Sequence, residues 1–98
     1  MIISPLISHA YQCELGVDDL SPKQSVSKPN NDFIFMKASN FECKTSVWND
    51  GNIVVLLISH NTTKESFAIS PRFVSVELES LNPATGIVEK AICSCSDN

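Results

Sequence analysis

The sequence predicts an all-β fold: a single-domain antiparallel β-sandwich or small barrel of about seven short strands. Three observations predict it. Short runs rich in Val, Ile, Phe and Thr recur along the chain, separated by Gly, Pro, Asn and Asp. Residues 72–79 alternate strictly, with Val74, Val76 and Leu78 on one side and Phe73, Ser75, Glu77 and Glu79 on the other. An Asp50-Gly51 pair sits between two β-forming runs, as in a tight hairpin. No stretch shows the pattern of a long amphipathic helix.

In chain order, residues 6–15 read in two ways. As a strand they place Ile7, His9, Tyr11, Cys13 and Leu15 on one face; as a helix capped by Ser4, with Pro5 in its first turn, they group Leu6, Ile7, Ala10 and Tyr11. The strand is preferred, and Gly16 ends it. Residues 17–32 hold two prolines, several serines and few apolar residues, which predicts a long surface loop that either binds something or crosses between sheets. Residues 33–38 form a short strand, and Ser39-Asn40 turns it back.

The hairpin at 41–60 is the centre of the prediction. A two-residue turn at Asp50-Gly51 pairs Trp48 with Ile53 and Val47 with Val54, so one face carries Phe41, Cys43, Thr45, Val47, Val54, Leu56 and Ile58. This face demands cover. The second strand is apolar on both faces and is expected to be buried on both. A break at 61–64 follows, containing the sequon Asn61-Thr62-Thr63, which matters only in an exported protein. Residues 65–70 form a strand that Pro71 confines to an edge or a bend. A second hairpin follows around Leu81 to Gly86 with a return strand over 87–95; its register is not readable, so the faces of Glu89 and Lys90 stay open. The polar end 96–98 is expected to fray.

Composition bounds the function. Ninety-eight residues make one domain, 1–98. Eleven acidic and seven basic side chains give a net charge of −4, and the lysines are scattered, which argues against nucleic-acid binding and for a basic protein partner. No apolar run is long enough to span a bilayer, so no membrane role is expected. The first residues lack a basic, signal-like region, so a cytoplasmic protein is expected. The four cysteines, at 13, 43, 93 and 95, read first as free thiols and second as a bridge from Cys13 or Cys43 to the C-terminal pair. Cys93 and Cys95 share one strand face and are too far apart to bond each other.

No metal site or cofactor is expected, because the chain offers one Cys-x-Cys and two distant histidines. No nucleophile elbow or phosphate-cradling glycine loop is present, and Cys43 reads as a core residue before it reads as a partner of His60, so no enzyme is expected. A docking surface is the better reading. Asp18, Asp19, Glu77 and Glu79 would pair with basic groups of a partner, and Phe73 would anchor it unless it packs beneath a loop. In size, charge and single-domain build the chain resembles immunity proteins, which block a basic nuclease or other toxin inside the cell; this is a resemblance of physical type. The alternatives are a secreted or surface β-domain stapled by disulfides, such as an adhesin, inhibitor or effector, and a small barrel that holds an apolar ligand.

Overall fold

Two four-stranded antiparallel sheets pack face to face, as the sequence predicts. The computed structural model describes residues 10–18 and 20–97, with 20–22 described by their backbone. The strands are β1 (Ala10–Val17), β2 (Leu20–Pro29), β3 (Ile34–Ala38), β4 (Phe41–Val47), β5 (Asn52–Ser59), β6 (Glu65–Pro71), β7 (Phe73–Asn82) and β8 (Ile87–Asp97). One sheet has the order β2-β1-β8-β7 and the other β3-β4-β5-β6. Read around the section, each strand neighbours the next in sequence, and β1 pairs with β8 to close the circuit. Ladder bonds are interrupted only at two corners, β2 to β3 and β6 to β7, so the fold is a meander flattened into a sandwich.

Residues 10–17 are a strand and not a helix. Tyr11, Cys13, Leu15 and Val17 point into the core, while Gln12, Glu14 and Gly16 point out. Ile7 and His9 of the predicted face lie outside the described residues. The strand does not stop at Gly16; its pairing with β2 shifts between Leu15 and Val17, and the chain continues.

The predicted loop at 17–32 is largely a strand. β2 runs antiparallel to β1, from Val17↔Leu20 to Ala10↔Pro29. Its composition hid it because it is an edge strand with little to bury: Lys23, Gln24, Ser25, Ser27 and Lys28 are exposed, and Val26 alone of its described side chains packs against the core. Backbone bonds to β1 hold such a strand, and lysine and proline at an edge blunt further pairing. The side-chain amide of Gln24 donates to the Lys37 carbonyl and ties β2 to β3 across the corner.

The central hairpin is shifted by one residue from the predicted register. Val47 pairs with Ile53, Thr45 with Val55, Cys43 with Leu57 and Phe41 with Ser59. The loop holds three residues, because Gly51 takes φ +89° and donates to the Trp48 carbonyl at 2.9 Å. Asp50 accepts from the Asn52 amide at 3.0 Å, which favours this turn over a two-residue one. A one-residue slip exchanges the faces of β5. Ile53, Val55 and Leu57 are therefore buried, and Val54, Leu56 and Ile58 face outward and are half-buried. The expected burial of β5 on both faces does not occur. At Ser39 the β3–β4 turn also needs a positive φ, of 56°, at its first central residue.

Nor does the expectation of free thiols hold. Cys13 bonds Cys95 and Cys43 bonds Cys93, and no described cysteine is free. Cys13 and Cys95 stand directly opposite on β1 and β8, with Cα atoms 4.0 Å apart. Cys43 reaches Cys93 from the facing sheet, across 6.5 Å between Cα atoms. Around them pack Tyr11, Leu15, Ile34, Phe41, Ile53, Val55 and Leu57, each almost fully buried and each contributing roughly 1.5–3 kcal/mol. The chain passes from β6 to β7 through Arg72 alone, at φ +70°. Of the end expected to fray, Ser96 and Asp97 belong to β8: Asp97 donates its backbone amide to the Arg72 carbonyl at 2.9 Å, and Ser96 pairs with both Phe73 and Gln12, while Asn98 lies outside the described residues.

Candidate interaction surfaces

The outer face of the β2-β1-β8-β7 sheet gathers most of the predicted contact residues. On β7, Phe73, Glu77 and Glu79 all point outward and are exposed, with Phe73 at 59%. The β7–β8 register sets Glu79 opposite Lys90 and Glu77 opposite Ile92, which resolves the open question of the return strand: Lys90 faces outward. Glu89 lies on the inner side, half-buried, and accepts from the Ser39 hydroxyl at 3.1 Å. Lys90 Nζ lies 3.4 Å from Glu77 Oε1. Asp18 joins from the other side of β8. Its amide donates to the Lys90 carbonyl at 3.0 Å, and its Oδ2 accepts from the Lys90 amide at 3.1 Å. Asp18, Glu77 and Glu79 are thus brought around one lysine. Asp19 lies outside the described residues.

Two clefts mark this face. One, of about 300 Å³, is lined by Glu14, Gly16, Asp18, Lys23, Lys90 and Ile92. Gly16 keeps its floor low: a Cβ there would stand 3.1 Å from Lys23 Cγ. The other, of about 230 Å³, includes Phe73, Gln12 and Ser96 and shares Glu14 and Ser94 with the first. Together they make a trough from Phe73 to Lys90, floored by small residues and bordered by carboxylates. Glu14 and Lys23 were not anticipated. Lys23 was hidden in the supposed loop, because Val26 is the one apolar residue between Lys23 and Lys28 and a single position sets no period.

The outer face of the β3-β4-β5-β6 sheet is chemically different. Phe35, Lys44, Leu56 and Phe67 form one row across it, and Ser46, Val54 and Ile69 form the next. Phe33, Phe35 and Phe67 are 63%, 61% and 57% exposed, far from the burial that their size favours. The rings of Phe33 and Phe35 lie 6.1 Å apart. At one edge of this face Glu42 Oε1 meets His60 Nε2 at 2.9 Å. His60 has no thiol to act on, because Cys43 is bridged to Cys93.

A third feature lies at the loop end. A cleft of about 420 Å³ runs between the β2–β3 turn and the β4–β5 hairpin, lined by Asn30, Asn31, Trp48, Asn49 and Asp50. Trp48 is 52% exposed. Beneath it the Tyr11 hydroxyl donates to the Asp32 carbonyl at 2.7 Å and lies 3.3 Å from Thr45 Oγ1. Burial raises the phenol pKa above its ordinary 10.0, and the nearby Asp32 charge adds to this, while hydrogen bonds from Thr45 and the Ile34 backbone oppose it.

Among the described residues no group of three or more His, Cys, Asp or Glu side chains is placed to hold a metal ion, and no helix is long and apolar enough to cross a membrane. The apolar face of the central hairpin is filled by core side chains. The Asn61 side-chain nitrogen of the sequon is covered and has no hydrogen-bond partner among the described residues. No family model, curated protein or solved structure matches the chain.

Proposed function

We propose that this protein is an exported, disulfide-stapled β-sandwich without enzymatic activity that works by binding a basic protein through the outer face of the β2-β1-β8-β7 sheet. The observation that carries the reading is the grouping of Asp18, Glu77 and Glu79 around Lys90, on the same face as the exposed Phe73. Carboxylates in excess of lysines steer a basic surface toward the trough, and an aromatic anchor at one end supplies a desolvated contact. Export is supported by the two bridges, since disulfides persist in oxidising compartments and are rare in the cytosol. The cytoplasmic expectation gives way to export in this proposal.

A second reading keeps the same surface. An inhibitor or immunity protein that neutralises a basic toxin would use its carboxylates to plug the toxin's cationic site, and the net charge of −4 favours it. Protection of a susceptible cell against a co-expressed toxin separates this from simple adhesion.

The experiment takes a partner identified by cross-linking on the native protein and measures Kd for the wild type and for the combined Asp18→Lys, Glu77→Lys and Glu79→Lys variant. A loss on the order of tenfold or more, with wild-type binding that weakens as salt rises, is expected. An unmoved Kd removes the surface. Thiol titration of denatured protein from its native host tests export separately: no reactive thiol is expected, and four would overturn it.

A further inference from the structure

We propose that the cleft between the β2–β3 turn and the β4–β5 hairpin is a binding site for a neutral glycan, with Trp48 as its stacking platform and the amides of Asn30, Asn31 and Asn49 as its hydroxyl partners. This goes beyond the proposed protein contact and uses the loop end of the fold instead of the outer face of a sheet. Seven residues line the cleft: the sole tryptophan of the chain, three primary amides, one carboxylate, and Val47 and Gly51. That is the chemistry a pyranose requires. Its C–H face is apolar and lies flat on an indole, and its hydroxyls, each donor and acceptor at once, suit amides that offer both.

The volume, about 420 Å³, lies within the roughly 300–1,000 Å³ of small-molecule sites. Neutrality follows from the lining. Asp50 is the only ionisable group there; both its oxygens already accept from Asn52, at 3.0 and 2.9 Å, and its charge repels uronic and sialic acids. The unengaged amides remain for the ligand. Among the described residues Asn30 Oδ1 is covered and has no hydrogen-bond partner.

The cleft is also held ready. The Asp32 amide donates to the Pro29 carbonyl at 3.0 Å and closes the turn that presents Asn30 and Asn31. From below, the Tyr11 hydroxyl fastens that turn at the Asp32 carbonyl and reaches Thr45 on the strand that leads to Trp48. Gly51, by donating to the Trp48 carbonyl, fixes the other wall. A site whose walls are fixed before the ligand arrives loses less entropy on binding.

Because Trp48 is the sole tryptophan, its fluorescence reports the site directly. The intact, oxidised protein is titrated with methyl glucoside, galactoside and mannoside, with lactose and cellobiose, and with glucuronate as the charged control. A saturable change in tryptophan emission is expected for at least one neutral sugar, with Kd on the order of 1 mM, and none for glucuronate. Trp48→Ala, followed by NMR shift mapping, is expected to abolish binding, and Asn31→Ala to weaken it by on the order of tenfold. Glucuronate binding as well as a neutral sugar would overturn the proposal, as would the absence of any saturable response in the wild type. So would sugar binding that survives in a folded Trp48→Ala protein, or shift changes confined to residues outside the cleft.

Discussion

Cys93 and Cys95 leave β8 on the same side, two residues apart, yet they are bonded in perpendicular directions: Cys95 along its own sheet to Cys13, and Cys93 across the core to Cys43. The first bond reinforces a strand pair that backbone hydrogen bonds already hold. The second joins the two sheets at the middle of the core. A domain of this size buries a modest core, so both are expected to matter.

Replacing Cys43 and Cys93 together by alanine is expected to cost about 2–4 kcal/mol, because it opens a loop with a sequence separation of 50. Guanidinium unfolding of the oxidised double variant checks this. An unchanged midpoint would show that the sheets need no covalent tie.

Tyr11 links stability to pH at the alkaline end. Its phenol pKa is raised in the fold, so the native state holds the proton more tightly than the unfolded chain does. The contribution to stability is therefore complete below the unfolded value near 10.0 and is lost as pH rises through the folded value. Unfolding midpoints measured from about pH 8 to about pH 11.5 should fall at the upper end of that range. Tyr11→Phe should remove that dependence and lower stability at neutral pH by about 1–3 kcal/mol, since the Asp32 carbonyl loses its donor.

Gly51→Ala isolates backbone strain. At φ +89°, with nothing within 4 Å of an added Cβ, the substitution meets no steric obstacle beyond its own backbone. A loss of about 1 kcal/mol is expected from thermal unfolding, with the register retained. A loss several times larger would mean that the turn had been rebuilt.

Phe35 and Phe67 flank Lys44 and Leu56 in one row on an open sheet face. Because both rings are largely exposed, Phe35→Ser with Phe67→Ser should change stability by no more than about 1 kcal/mol. Binding of the dye ANS to the native protein should fall, since the dye reports exposed apolar surface. Marked destabilisation would show that these rings contribute to the core.

What local physics controls was legible in the chain. The period of two in β7, the shared face of Cys93 and Cys95, the turn at Ser39-Asn40 and the edge position of Pro71 follow from alternation and turn chemistry, and the all-β sandwich follows from them. The outward set Phe73, Glu77 and Glu79 was legible for the same reason. Tertiary structure decided the rest. β2 exists because β1 offers it a ladder, and a pattern of burial cannot reveal a strand that buries almost nothing. The hairpin register turned on whether the loop holds two residues or three, a difference made by Gly51 and Asp50 that exchanges the whole outward face of β5. Lys90 came to the carboxylates, and each cysteine to its partner, through pairings between distant segments. Side-chain alternation names the two faces of a strand, but only the packed neighbours choose which face is covered.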